Sequence, residues 1–208
     1  NNDGRRVNVP SENLVIRNCR MLDGHGGVVL GSEISGGVRN VFVEDCDMDS
    51  PHLDRALRLK SNAQRGGVLE NVFLRRVSIG RVTEAVLTVD LLYEEGANGP
   101  FAPVVRNINL EQITSTASPR VLFIRGFPGA VVFSQSWKES SEGEGALKGG
   151  LFAIRDGHLN QLTEDPADAE PNFSPDGRTI AFARDGDLFS VRPDGSGQRQ
   201  LTSGPEVD

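Results

Sequence analysis

The first 126 residues alternate apolar and polar positions in short runs, and the runs repeat. Glu12-Asn13-Leu14-Val15-Ile16-Arg17-Asn18-Cys19 returns as Arg39-Asn40-Val41-Phe42-Val43-Glu44-Asp45-Cys46, then Glu70-Asn71-Val72-Phe73-Leu74-Arg75-Arg76-Val77, then Arg106-Asn107-Ile108-Asn109-Leu110-Glu111-Gln112-Ile113. The Asn-to-Asn steps are 27, 31 and 36 residues. Each unit holds a second apolar run: Val28-Val29-Leu30, Ala56-Leu57-Arg58-Leu59, Ala85-Val86-Leu87-Thr88-Val89 and Val121-Leu122-Phe123-Ile124. Short period-2 runs between glycine-rich turns are strands. No segment keeps a helical period over eleven residues. A strand-only repeat of this length cannot enclose a core alone, so successive repeats must stack. The pattern predicts an all-β fold, a right-handed parallel β-helix of about four coils over residues 1–126.

Stacking makes two local expectations, because equivalent residues then lie ~4.8 Å apart. Asn13, Asn40, Asn71 and Asn107 should form a corner ladder, amide to amide, although asparagine is also a favourable turn residue in its own right. Cys19 and Cys46 should point inward, one above the other. That spacing lies within the Cα range of a disulfide, but parallel side chains do not face each other, so free thiols are expected.

After Gly126 the pattern changes. Residues 134–150 are rich in Ser, Glu and Gly and read as an exposed polar loop. Then Leu151-Phe152-Ala153-Ile154-Arg155 with Gln161-Leu162-Thr163 recurs as Leu188-Phe189-Ser190-Val191-Arg192 with Gln200-Leu201-Thr202. Between them lie Pro175-Asp176-Gly177 and Asp185-Gly186 turns. Short strands joined this way predict an incomplete antiparallel propeller-like blade over 127–208.

Composition narrows the function classes. With 37% hydrophobic and 25% charged residues the chain is neither fibrous nor compositionally disordered. A net charge of −7 without a basic stripe argues against a nucleic-acid partner. No apolar run approaches the ~20 residues of a membrane span. Two cysteines exclude a disulfide scaffold and a four-cysteine zinc site. His25, His52 and His158 have no ligand spacing, so neither metal nor cofactor is expected. The opening Asn-Asn-Asp-Gly-Arg-Arg has no initiator Met and no apolar signal segment, which reads as a processed or excised chain.

Three residues carry candidate chemistry. His25 sits between Gly24 and Gly26, so the backbone is free to turn and nothing adjacent covers the imidazole. Arg58 and Lys60 alternate with Leu57 and Leu59, which puts both cations on one face of a strand. That pair suits an anionic sugar acid, Arg gripping its carboxylate bidentately. One coil and a few residues separate His25 from Arg58, roughly 8–12 Å and the scale of one sugar subsite. A solvated basic face and a turn histidine would look the same.

The segment Gly24-His25-Gly26-Gly27-Val28-Val29-Leu30-Gly31-Ser32-Glu33, followed by Arg58-Leu59-Lys60-Ser61, resembles the polygalacturonase family of pectin-degrading glycoside hydrolases. The resemblance implies a catalytic-site position for His25 and galacturonate binding by Arg58 and Lys60. That family inverts the anomeric centre with paired acids about 6.5–9.5 Å apart. They come from Asn-Thr-Asp and Asp-Asp motifs that precede Gly-His-Gly. This sequence has no Asp-Asp pair, and it looks like the C-terminal half of such an enzyme. Asp3, in Asn2-Asp3-Gly4, receives no role, while Asp23 and Asp54 flank the candidate site. The expected partner is acidic galacturonan, and the resemblance implies a secreted or periplasmic location.

Residues 131–208 resemble the TolB-type β-propeller repeat, through Pro171-Asn172-Phe173-Ser174-Pro175-Asp176-Gly177-Arg178, Asp187-Leu188-Phe189 and Gln200-Leu201-Thr202. The resemblance implies a protein-interaction surface, with a protein partner or self-association through strand edges. Two readings follow: a pectin-directed glycoside hydrolase, or its binding remnant without the acid and base, and a non-catalytic binding or assembly module, with a recombined or artificial chimera as its possible origin.

Overall fold

The computed structural model describes residues 4–127, 130–138, 146–155, 158–174 and 176–204. The chain divides into two compact units, Asn1–Phe127 and Pro128–Asp208. No helix is long and apolar enough to cross a membrane among the described residues.

The first unit opens with one helical turn, α1 (Gly4–Val7), and continues as eight strands. These are β1 (Ser11–Arg17), β2 (Val28–Leu30), β3 (Val38–Glu44), β4 (Arg55–Lys60), β5 (Val68–Gly80), β6 (Ala85–Asp90), β7 (Val104–Ser115) and β8 (Leu122–Arg125). Odd-numbered strands form one parallel sheet, β1-β3-β5-β7, and even-numbered strands a second, β2-β4-β6-β8. The result is a β-solenoid of about four turns, a parallel β-helix. Its core is a set of aliphatic columns: Leu14–Val41–Val72–Ile108 and Ile16–Val43–Leu74–Leu110 in one sheet, Leu30–Leu59–Val89–Ile124 in the other. Val41, Val43, Leu57, Leu59, Val72 and Leu74 are completely buried. Each such side chain contributes about 1.5–3 kcal/mol relative to exposure.

The asparagine ladder is continuous. Asn40 donates to Asn13 at 3.0 Å, Asn71 to Asn40 at 3.0 Å and Asn107 to Asn71 at 2.7 Å. All four sit at positive φ, between 53° and 59°, a conformation that asparagine visits more readily than most residues. The turn preference and the ladder are therefore one device. Beside it the outward charges alternate in sign up the sheet. Glu12 pairs with Arg39 at 2.5 Å and Glu70 with Arg106 at 2.6 Å, while Arg17 pairs with Glu44 at 3.3 Å and Arg75 with Glu111 at 2.9 Å.

The cysteines depart from expectation in part. Both are free, and each Sγ donates to the carbonyl two residues back, at 3.2 Å for Cys19 and 3.1 Å for Cys46. Cys46 is buried but Cys19 is exposed. It follows β1, the edge strand of its sheet. The inward-facing residues of that turn thus have a neighbour on one side only, and Leu14 is exposed for the same reason.

The second unit comprises β9 (Ala130–Lys138), β10 (Leu147–Arg155), β11 (His158–Gln161), β12 (Ala169–Phe173), β13 (Ile180–Arg184), β14 (Asp187–Val191) and β15 (Arg199–Gln200). They form two antiparallel sheets, β11-β10-β9 and the meander β12-β13-β14-β15. Leu151, Ala153, Leu162, Ile180, Phe182 and Val191 make the core. Inside it, Asp168 accepts both Thr163 Oγ1 and a bidentate Arg184, at 2.6 and 3.0 Å for the latter. The loop expected over 134–150 is shorter than its composition suggested. Ser134 pairs with Leu151 and Gln135 with Gly150 in the β9–β10 ladder. Backbone hydrogen bonds hold such a hairpin together, and they do not require apolar side chains on its outer face. Residues 139–145 of that stretch lie outside the described residues.

Candidate functional site

The candidate residues all belong to the first unit and line the β2-β4-β6-β8 sheet. Gly24 bridges Leu53 one turn on, and the Asp54 amide donates to the Gly24 carbonyl at 3.0 Å. This parallel contact sets His25 beside Asp54, whose Oδ2 lies 2.9 Å from His25 Nδ1. The imidazole is 84% exposed, as its flanking glycines led one to expect. The His25 hydrogen bond, helped by Arg55 and opposed by partial burial, holds the Asp54 carboxyl below the usual carboxylate range. Arg55 also pairs with Glu84 on the next turn.

Arg58 and Lys60 face outward from β4, between the buried Leu57 and Leu59. Arg58 lies in register with Val29 and Thr88. Gly26 approaches it so closely that a methyl group there would stand 3.4 Å from Arg58 Cβ, which brings the His25 turn to the arginine. Gly31 passes the Lys60 backbone with no room for any side chain, at φ +115°, so only glycine fits. Among the described residues neither cation has a carboxylate within ion-pair distance. Arg58 Nε and Thr88 Oγ1 are buried without a hydrogen-bond partner. Burial, then repulsion from Arg58, lowers the Lys60 pKa below the ordinary lysine value.

Sequence reasoning missed two contributors, Tyr93 and Asp90, and took Asp54 only as an acid flanking the candidate site. Tyr93 lies under both cations, its ring centroid 4.2 Å from Lys60 Nζ and 5.4 Å from Arg58 Cζ. Its backbone is tied to the end of β4: its amide donates to the Ser61 carbonyl at 3.1 Å, and Asn62 donates to its carbonyl at 3.0 Å. Glu94 pushes the Tyr93 hydroxyl pKa up. Asp54 stands 29 residues after His25, one repeat length on, and that interval was the available signal. Asp90, buried next to Lys60 in the ladder, is gripped by Arg125 at 2.7 and 2.8 Å and accepts the Leu92 amide at 3.1 Å, starting the turn that delivers Tyr93. Among the described residues no three His, Cys, Asp or Glu side chains gather as a metal site.

The arrangement is an open face: two cations without an ion-pair partner among the described residues, on an aromatic support, and a histidine–aspartate pair at one end. Several known proteins are similar to part of this chain. The "Polygalacturonase" of Ralstonia solanacearum is 31% identical over 113 residues, 53% of this chain and 21% of that protein. The "Probable polygalacturonase" of Vitis vinifera is 26% identical over 129 residues, 60% of this chain and 26% of that protein. The chain thus spans about a fifth to a quarter of these relatives. The crystal structure of a hyperthermoactive exopolygalacturonase from Thermotoga maritima superposes with a TM-score of 0.56 at 38% identity, over 60% of this chain and 28% of that one. The model of glycosyl hydrolases family 28 matches residues 2–127, and the chain belongs to that family.

Proposed function

We propose that the first unit binds galacturonate units of pectic polysaccharide, with Arg58 and Lys60 holding the sugar carboxylate and His25 beside the scissile region. The observation that carries this reading is the unpaired state of both cations, on a protein whose other outward arginines mostly sit against carboxylates. A uronate would supply the missing anion, and Arg58 Nε the missing hydrogen bond. An extracellular or periplasmic setting fits this substrate.

The 208-residue chain should bind oligogalacturonate weakly and hydrolyse it negligibly. Inverting hydrolysis needs a protonated acid at the leaving oxygen and a second carboxylate activating water. Beside His25 stands Asp54, whose carboxyl is held ionised and so cannot serve as that acid near neutral pH. Glu84 is engaged by Arg55. Arg58 and Lys60 fill neither role. Calorimetry with trigalacturonate and reducing-end release from polygalacturonate test this together. Salt-sensitive binding without release is the expected result. Robust turnover would bring Asp23, Asp54 or another acid into the mechanism, and absence of binding would remove the reading.

For Pro128–Asp208 we propose a protein-contact role, as an incomplete propeller-like blade. What supports it is the four-stranded meander ending at β15 and the exposed Leu188 and Leu201 beside that edge. Sedimentation should show self-association, lost in the double variant Leu188→Lys, Leu201→Lys; a monomer at all concentrations would count against it.

A further inference from the structure

The helical turn that opens the first unit reaches across the solenoid. Gly4 of α1 packs its backbone on that of Gly36, with no room for a side chain between them. From this seat Arg5 Nη2 donates to the carbonyls of Gln64 at 3.3 Å and Arg65 at 2.6 Å. The same guanidinium lies over Phe101, 3.5 Å from the ring centroid. Charge-assisted donation and cation–π contact are the stronger forms of hydrogen bonding and ring contact. The Gly36 turn follows β2, the Gln64–Arg65 turn follows β4 and the Phe101 turn follows β6. The segment around Arg5 thus ties the equivalent turns of three successive repeats.

The second and third of these turns are locked to each other. The Ala63 amide donates to the Gly96 carbonyl at 2.9 Å, and the Ala63 carbonyl accepts the Phe101 amide at 2.8 Å. Gly66 presses on Phe101 and Gly99 on Ala63, again without room for a side chain. Asn62 is completely buried and uses its full hydrogen-bonding capacity here. Its Oδ1 accepts the Gln64 and Arg65 amides at 3.1 and 3.0 Å, and its Nδ2 donates to the Tyr93 carbonyl at 3.0 Å and to Glu95 at 2.5 Å. The two residues whose amides Asn62 holds are the two whose carbonyls Arg5 holds. That turn is gripped from both sides, and Tyr93 hangs from the inner grip. We propose that Arg5 is a positioning residue for the uronate-binding face: it braces these turns so that Tyr93 stays beneath Lys60 and Arg58, and it acts through Tyr93 rather than by contact with the sugar. The inference rests on the uronate-binding reading above and adds the N-terminal turn to what that face requires.

The test joins calorimetry to NMR on the full chain. Arg5→Ala should bind trigalacturonate roughly three- to ten-fold more weakly than wild type, a loss of support rather than of a contact. Arg39→Ala, which removes the same charge from β3, should leave affinity unchanged. Without ligand, the Lys60 side-chain protons over the Tyr93 ring should resonate upfield in the wild type and move towards ordinary lysine positions in Arg5→Ala. Loss of stability alone does not move them in a folded protein. Arg5→Lys, which keeps a donor without the planar stack, should fall between the two. Where Arg5→Ala does not fold, Phe101→Leu takes its place and should give both changes at smaller size, since it removes only the ring beneath the guanidinium. Weaker binding with unmoved Lys60 signals would make Arg5 a sugar contact and overturn the proposal, as would an equal loss in Arg39→Ala. If the wild type binds and Arg5→Ala binds equally well, the brace alone falls. If the wild type does not bind trigalacturonate, the uronate reading falls and this inference with it.

Discussion

The two sheets of the β-helix treat charge differently at one place. On β1-β3-β5-β7 the outward arginines meet glutamates rung by rung, Glu12 with Arg39 and Glu70 with Arg106. On β2-β4-β6-β8 the sequence Arg58-Leu59-Lys60 sets two cations side by side over a tyrosine ring, and among the described residues no carboxylate comes within ion-pair distance of either, although Asp90 and Glu94 lie near Lys60. Desolvating like charges together costs stability, and the depressed Lys60 pKa records that cost. Elsewhere along this sheet charge is still paired, Arg55 with Glu84 and Arg125 with Asp90, so the exception is confined to Arg58 and Lys60.

Substitutions on each face should therefore fail in different assays. The largest effect belongs to the scaffold. Asn71 makes two ladder bonds, so Asn71→Ala loses about 1 kcal/mol for each and adds about 1–2 kcal/mol for a left-handed alanine. Urea unfolding should show a total loss of ~2–4 kcal/mol, whereas Asn71→Gly spares the backbone part. Equal stability of Asn71→Ala and wild type would make the amide column ornamental.

On the site face, Arg58→Ala or Lys60→Ala should weaken trigalacturonate binding by ~1–3 kcal/mol, roughly 5- to 150-fold, with stability nearly unchanged. A smaller effect is spectroscopic. NMR titration should place the Lys60 ammonium below ordinary lysine, and Arg58→Ala should move it up. An unshifted Lys60 would remove the claim that this face is electrostatically strained.

Asp54 gives a pH-dependent contrast. Its folded pKa is depressed, so its stabilising contribution is present above the unfolded value of about 3.9 and is lost as pH falls through the folded value. Asp54→Asn should therefore lower stability near neutral pH and flatten the acid limb of a urea-midpoint profile. An unchanged limb would mean that the His25 contact is not maintained in solution. The smallest effect is expected at Arg39→Ala, whose exposed partner is screened: binding unchanged, and a barely shifted melting curve.

What was legible followed from the repeat. Period-2 alternation named the strands, and the spacing of Asn13, Asn40, Asn71 and Asn107 located the ladder that the structure displays. Leu57 and Leu59 inside fixed Arg58 and Lys60 outside. Cys19 misled because a repeat position predicts direction but not what lies beyond the edge strand. Tyr93, Glu94 and Arg65 were illegible for a different reason. They sit in the turns between repeats, where no period applies, and only the fold brings them to β4. In the second unit, composition overruled pairing: Ser134 and Gln135 read as loop but lie in a hairpin.

The amide column also acts as a metre for the chain. Its beats fall at 13, 40, 71 and 107, yet the verses between them run 27, 31 and 36 residues. Nine residues separate the shortest verse from the longest (36 − 27), and no rung is displaced. The longest verse is the one that carries Tyr93, Glu94 and Glu95 to the side of Lys60 and Arg65. Added length is absorbed where the chain is out of step with the beat, so specificity can be rewritten there while the strands keep time.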